Sequence, residues 1–301
     1  MQKYLIIVSG PTAIGKTTLS LDIAKNYNTE IISCDSRQFY KEMSIGTAVP
    51  TKEELADVKH HFIQNLSISE NYSVGQFERD ALVKIKELHQ SSNVVVMVGG
   101  SGLYIDAVCR GFDDFPTVPK EIRDELNTRC KTEGIEVLEK ELQDVDPDYH
   151  KLVDKLNPHR IIRALEIYKA SGKTFTSFRI RQDQKRNFKT IKVILSRERE
   201  VLYERINKRV DIMLEEGLLE EVKSMYPFKE NNALQTVGYK ELFSFIDGEI
   251  SLEFAVSEIK KNTRRYAKRQ MTWFRRDPET VFSNPEEKET VFEYLETIIP
   301  Y

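Results

Sequence analysis

Residues 4–17 read Tyr4-Leu5-Ile6-Ile7-Val8-Ser9-Gly10-Pro11-Thr12-Ala13-Ile14-Gly15-Lys16-Thr17. The unbroken apolar run over Tyr4–Val8 is the pattern of a strand buried on both faces of a parallel sheet. Gly10–Thr17 then satisfies G-x-x-x-x-G-K-[ST] at every fixed position. Helical period resumes over Thr18–Asn26, with Leu19, Ile23 and Ala24 on one side. Strand, glycine loop and helix in that order form a phosphate-binding loop. Its backbone N–H groups point inward at phosphate oxygens, and the helix N-terminus adds partial positive charge. Gly10, Pro11, Thr12, Ala13, Ile14, Gly15, Lys16 and Thr17 are therefore expected to bind phosphate, with the Thr17 hydroxyl on Mg²⁺.

Outward from this stretch, strands are expected at Glu30–Cys34, Asn93–Val98 and Lys189–Leu195, with a helix from about Val74 to His89. Alternating strands and helices predict an α/β fold, a P-loop NTPase-like parallel sheet flanked by helices. The hydrophobic strand Val94–Val98 ends in Gly99-Gly100-Ser101-Gly102 with no acidic residue, which argues against a motor or GTPase. The acid is instead Asp35, after the second strand, in Asp35-Ser36-Arg37-Gln38. Ligands of open α/β sheets bind beyond the C-terminal strand ends, so Gly10–Thr17, Asp35 and Gly99–Ser101 are expected to converge on one crevice.

From Phe112 to about Asn187 no strand run is visible, while helical patterns recur at Glu121–Cys130, Ile135–Leu142 and Arg160–Ala170. This predicts an all-helical insertion over 112–187 in a core made of 1–111 and 188–301. Long helices are expected from Glu198 and from Leu252 to about Arg276. The 301 residues, 40% hydrophobic and 31% charged, are too apolar for a disordered chain and hold no apolar run long enough to span a membrane. MQKYLIIVSG runs straight into the glycine loop and is not expected to be a signal peptide. Cys34, Cys109 and Cys130 have no C-x-x-C spacing, against a disulfide scaffold or a Cys-based zinc finger and consistent with a cytoplasmic chain.

The formal charge of −3 hides segregation. Residues 113–148 carry 12 acidic and 5 basic side chains, 151–209 carry 17 basic and 6 acidic, and 258–277 carry 8 basic and 2 acidic. Two basic blocks in an acidic protein predict a localised polyanion site. The rows Lys260-Arg264-Lys268 and Lys261-Arg265-Arg269 on the last long helix suit phosphates, since like charges at i, i+4 otherwise destabilise a helix. Trp273 and Phe274 are read as packing residues. Adjacent His60 and His61 would point to opposite sides of an extended segment and are read as structural rather than as a metal pair.

An ordered series of segments resembles the tRNA dimethylallyltransferases, also called tRNA isopentenyltransferases, over nearly the whole chain. It runs through GPTAIGKT (10–17), DSRQFY (35–40), IGTAVP (45–50), HHFI (60–63), YSVGQFERDA (72–81), VGGSGLY (98–104) and RIIRALEIY (160–168). It continues through SG (171–172), RINKRVDIML (205–214), TVGYKEL (236–242) and TRRYAKRQMTWFRR (263–276). Ser101 stands where the family usually has Thr, Asn157-Pro158 where Asp-Pro is common, and HHFI where HHL is usual. Eukaryotic relatives often carry a C-terminal zinc finger; none is expected here, and the likeness is to the bacterial form.

The resemblance implies transfer of a dimethylallyl group from dimethylallyl diphosphate to N6 of adenosine 37, next to the anticodon, with release of diphosphate. It implies catalytic roles for Asp35, Ser101, Lys16 and Thr17, and diphosphate contacts from Arg205 and Arg209 besides the loop. It implies contacts to the tRNA anticodon stem-loop from Asp35, Ser36, Arg37, Gln38, Ser101, Arg123, His159, Arg160, Ile161, Ile162, Arg163, Tyr239, Lys240, Lys261, Arg265, Lys268 and Arg269. Mg²⁺ is the implied cofactor, the helical insertion is expected to contact tRNA, and the chain is expected to be a monomer. Two other readings of the residues remain at this point. One is a P-loop small-molecule kinase that binds ATP, and the other is an RNA-binding protein without chemistry.

Overall fold

A computed structural model describes residues 1–179 and 184–300. The elements run β1 (Tyr4–Ser9), α1 (Lys16–Asn26), β2 (Ile31–Ser33), α2 (Lys52–Asp57), β3 (His60–His61), α3 (Val74–Leu88), β4 (Val94–Gly99) and α4 (Gly102–Arg110). Then come α5 (Lys120–Glu133), α6 (Ile135–Val145), α7 (Pro147–His150), α8 (Pro158–Ser171) and α9 (Phe175–Phe178). The chain continues with β5 (Lys189–Leu195), α10 (Arg199–Glu215), α11 (Leu218–Met225), α12 (Tyr239–Ile246), α13 (Leu252–Phe274), β6 (Val281–Ser283) and α14 (Lys288–Ile298).

The strands form one six-stranded parallel sheet in the order β3-β2-β4-β1-β5-β6. Side chains alternate between its faces. Leu5, Ile7, Ile32, Val95 and Met97 join one buried layer with Phe77, Ala81 and Ile85 of α3 and with α11–α13. Tyr4, Ile6, Val8, Val94, Val96 and Val193 join the other with Leu19, Ile23 and Ala24 of α1 and with Leu202 and Ile206 of α10. Both faces are covered, which is why these strands read as unbroken apolar runs. α3 begins at a capping box, in which the Ser73 hydroxyl accepts the Gln76 N–H and the Gln76 side chain accepts the Ser73 N–H.

The expected strands are present, and β3 and β6 join them at the two edges. With two and three residues, these edge strands are too short to show a period. The expected long helices are α10 and α13; α2, α4, α7, α9, α11, α12 and α14 had no sequence expectation. The chain divides into two compact units, Met1–Cys109 with Lys185–Tyr301, and Arg110–Gln184, against the expected insertion limits of 112 and 187. Part of the expected insertion, residues 180–183, lies outside the described residues. The second unit is helical, with a core of its own from Leu126, Leu138, Leu142, Tyr149, Ile161, Ile162 and Leu165. Among the described residues no helix is long and apolar enough to cross a membrane.

Candidate active site

The sheet order decides the site. β2, β4 and β1 are neighbours, with Ser33 opposite Val98 and Ser9 opposite Gly99. Parallel strands lie about 4.8 Å apart, so the loops leaving their C-terminal ends start side by side. These are the loops that carry Gly10–Thr17, Asp35 and Ser101. Gly99 permits the closest approach, since a Cβ there would lie 2.6 Å from Cys34 Sγ and 2.9 Å from the Asp35 nitrogen.

The first loop passes through left-handed backbone at Ala13 (φ 61°) and Gly15 (φ 109°). Such turns aim successive N–H groups inward. Among the described residues, the N–H groups of Ala13, Ile14 and Gly15 donate to no protein group. The Lys16 ammonium donates to the Pro11 carbonyl at 2.9 Å and the Gly10 carbonyl at 3.3 Å. Burial pulls its pKa down to about 8; Asp35 opposes the shift and Arg209 adds to it. Arg205 donates from Nε to the Ala13 carbonyl at 2.9 Å. Burial also lowers Arg209 below the ordinary guanidinium value, against the opposing field of Asp35. Thr12–Thr17 of the loop, Asp35, Arg205 and Arg209 all line one cavity of about 1200 Å³.

Asp35 Oδ1 accepts the Arg37 N–H at 3.1 Å, a local turn, and Oδ2 has no protein partner among the described residues. Ser101 Oγ accepts the Ser36 N–H and donates to Ser36 Oγ, both at 3.1 Å, tying the third loop to the second. The Gln38 amide donates to the carbonyls of Thr47 and Ala48 at 3.1 and 2.9 Å. Arg37 Nη1 donates to the carbonyls of Asn232 and Ala233, both at 3.0 Å, so its guanidinium serves the fold.

On α13, Lys260 pairs with Asp211, Arg264 donates to Asn207 and Lys261 pairs with Glu258. Half of the six row residues are thus engaged by protein groups. Arg265 and Lys268 are exposed, with no protein partner among the described residues, and Arg269 lies over the Tyr266 ring and lines the cavity. Lys240 lines it too. Tyr239, expected on the RNA side, is instead fully buried, and its hydroxyl donates to Glu221 at 2.7 Å. It occupies an apolar position of α12, which decides its fate. Trp273 packs, as expected, and donates from Nε1 to Asp106 at 2.9 Å.

In the helical unit, His159 and Arg160 are exposed at the start of α8, whereas Ile161 and Ile162 are buried. These two isoleucines build that unit's core, so their side chains are unavailable to RNA. Arg123 makes a forked pair with buried Glu166, Nε to Oε1 at 2.6 Å and Nη2 to Oε2 at 3.0 Å, and Arg163 adds a third bond at 3.2 Å. Burial alone would raise the Glu166 carboxyl, but the two guanidinium groups hold it below its ordinary value.

Sequence reasoning missed several residues of the cavity wall. Asn262, Tyr266 and Gln270 recur every four residues on α13 and all face the cavity, a spacing legible once that face is suspected. Burial pushes the Tyr266 phenol up to about 12, and the Asp35 charge adds to the rise. His60 and His61 do diverge: His61 Nε2 meets Glu30, while His60 lines the cavity with Nδ1 2.7 Å from the Val58 carbonyl. Burial lowers the His60 pKa, and its Nε2 is buried without a protein partner among the described residues. No group of three His, Cys, Asp or Glu side chains fit to hold a metal occurs among the described residues. The Thr17 hydroxyl lines the cavity without a protein partner among the described residues. That suits Mg²⁺, which takes one or two protein oxygens and otherwise phosphate and water.

A parallel sheet with a phosphate loop after its central strand and an acid after a neighbouring one defines a P-loop protein with a phosphate crevice. The sequence pattern described as IPP transferase matches residues 38–277. A tRNA dimethylallyltransferase of Christiangramia forsetii is 58% identical over 300 residues, 99% of each chain. The tRNA dimethylallyltransferase 1 of Phocaeicola vulgatus is 49% identical over 99% of each. The full-length tRNA isopentenylpyrophosphate transferase of Bacillus halodurans superposes with a TM-score of 0.72 at 36% identity, covering 99% of this chain and 96% of that one. A eukaryotic dimethylallyltransferase acting on tRNA gives a TM-score of 0.80 at 27% identity, covering 98% of this chain and 78% of that one. The chain belongs to the IPP transferase family.

Proposed function

We propose the following reading of the crevice. The chain is a tRNA dimethylallyltransferase. It forms a bond between N6 of adenosine 37 and C1 of the dimethylallyl group, and breaks the bond from C1 to the bridging oxygen of dimethylallyl diphosphate. The electron pair leaves on diphosphate, and the N6 proton passes to Asp35 Oδ2. The observation that carries this is one cavity lined both by a phosphate loop with unspent N–H groups and by a carboxylate with a free oxygen.

The loop N–H groups, Lys16 and the two arginines meet the charge that develops on the leaving group. A bound diphosphate draws the Lys16 ammonium from the Pro11 and Gly10 carbonyls. Mg²⁺ would be held by the Thr17 hydroxyl and would neutralise diphosphate charge. Ser101, through its two bonds to Ser36, sets the position of the Asp35 loop; turned from Ser36 Oγ, its O–H would donate to the leaving oxygen while Oγ still accepts the Ser36 N–H. An adenine inside a stacked loop cannot reach Asp35, so the base is extruded. Arg265, Lys268 and Arg269 on α13, and His159 and Arg160 at the surface of the helical unit, supply phosphate contacts to a tRNA held by a monomer in the cytoplasm.

The test incubates protein, Mg²⁺ and unmodified tRNA with dimethylallyl diphosphate or with ATP and analyses the tRNA nucleosides. Prenylated adenosine with the first donor alone is the expected result. ATP-dependent phosphorylation of a small molecule without prenyl transfer would assign the crevice to a kinase.

A further inference from the structure

We propose that Gln270 is a positioning residue that sets the spacing between the diphosphate loop and the loop of Ser101; this deepens the functional reading above and rests on it. Gln270 belongs to the buried stripe of α13, with Ala255, Ile259, Ala267 and Phe274. It is 6% exposed, in a slot that packing alone would give to leucine or methionine. A buried amide is costly unless its hydrogen bonds are made, and both ends of this one are used. Oε1 accepts the Thr12 N–H at 3.2 Å, and Nε2 donates to the Gly100 carbonyl at 2.9 Å.

Those two partners lie on different loops. Thr12 is in the phosphate loop after β1. Gly100 follows β4 and precedes Ser101, which is bonded to Ser36 beside Asp35. One amide thus bridges the loop that takes the leaving group to the loop that orients the base. Gly100 is built around it, since a Cβ there would lie 2.2 Å from Gln270 Nε2. The Thr12 N–H, expected on phosphate, is taken by Gln270 instead, while the N–H groups of Ala13, Ile14 and Gly15 have no protein partner among the described residues. The preceding residue on the helix, Arg269, also lines the cavity, so the loop bridge and a cavity-facing cation sit on one turn of α13.

The test measures kcat, both KM values, tRNA affinity and melting temperature for Gln270→Met, which keeps the volume and loses both bonds, for Gln270→Glu, and for Gly100→Ala. Misplacing reacting groups by about 1 Å costs on the order of 10²-fold. Folded Gln270→Met is expected to lose kcat on that scale with tRNA affinity within about twofold of the parent. Gln270→Glu, whose carboxylate faces the Gly100 carbonyl, is expected to lose at least as much. Gly100→Ala displaces the amide and is expected to reproduce the loss, and the double variant to be no worse than either single one. It also keeps the inference testable if Gln270→Met does not fold. Parent-like kcat in folded Gln270→Met, a loss confined to KM, or multiplying losses in the double variant would overturn the inference. No prenyl transfer by the parent itself would overturn the functional reading instead.

Discussion

Glu221 offers the sharpest test of how the cavity wall is held. Its Oε2 accepts the N–H groups of Ser44 and Ile45 at 3.0 and 2.7 Å, and its Oε1 accepts the Gly46 N–H at 2.9 Å and the Tyr239 hydroxyl at 2.7 Å. Burial and the adjacent carboxylate raise the Tyr239 pKa far above its ordinary value, so the phenol stays a neutral donor. Gly46 lies so close to the Tyr239 ring that a Cβ would come within 2.6 Å. The segment held this way continues into Thr47 and Ala48, which line the cavity and accept from Gln38. A hydrogen bond to a charged group contributes about 1.5–3 kcal/mol net, and four on one carboxylate do not add. Glu221 is half-buried, so water replaces part of what Glu221→Ala removes, and a loss of about 2–4 kcal/mol follows. Glu221→Gln keeps one oxygen for Ser44 and Ile45 but sets an NH₂ against the Gly46 N–H, which costs about 1–2 kcal/mol. Denaturant unfolding, read beside dimethylallyl diphosphate binding, measures both, and weaker binding is expected to accompany the lost stability. Glu221→Ala within about 0.5 kcal/mol of the parent, with unchanged binding, would refute the idea that this carboxylate holds the wall.

Three further outcomes are expected. Lys16, with its pKa brought to about 8, regains a raised pKa against a diphosphate, so it is fully charged below that pH and affinity falls as pH rises through it. Isothermal titration between about pH 7 and pH 9 should show roughly a tenfold loss, absent in Lys16→Met. Asp35→Asn removes the proton acceptor but keeps the shape, so prenyl transfer drops about 10²–10⁴-fold while diphosphate affinity holds; near-normal turnover would leave the base role without support. Arg265→Ala with Lys268→Ala should weaken many tRNAs alike and lower the salt slope by about 0.7 for each phosphate no longer neutralised. Selective loss of one tRNA at constant slope would point to base readout.

The strand-loop-helix of 4–26 was legible because its signals are local: an apolar run, fixed glycine spacing and a helical period within one stretch of chain. Asp35 was legible from its place after a strand, and the two basic blocks from charge counts. What those charges do was not, because a sequence shows no partners. Arg123 and Arg163 close on Glu166, and Lys260, Lys261 and Arg264 are taken up by Asp211, Glu258 and Asn207. Ile161, Ile162 and Tyr239 sit inside because burial is settled by what packs over a helix face. Glu221 reaches a loop 175–177 residues before it, and Gln270 joins loops 258 and 170 residues before it. A buried polar side chain is specified by the hydrogen bonds waiting for it. Here, the Tyr239 hydroxyl on Glu221 aside, those belong to backbone groups of distant segments, which leave no mark on the residue's own neighbourhood and meet it only when the chain is folded.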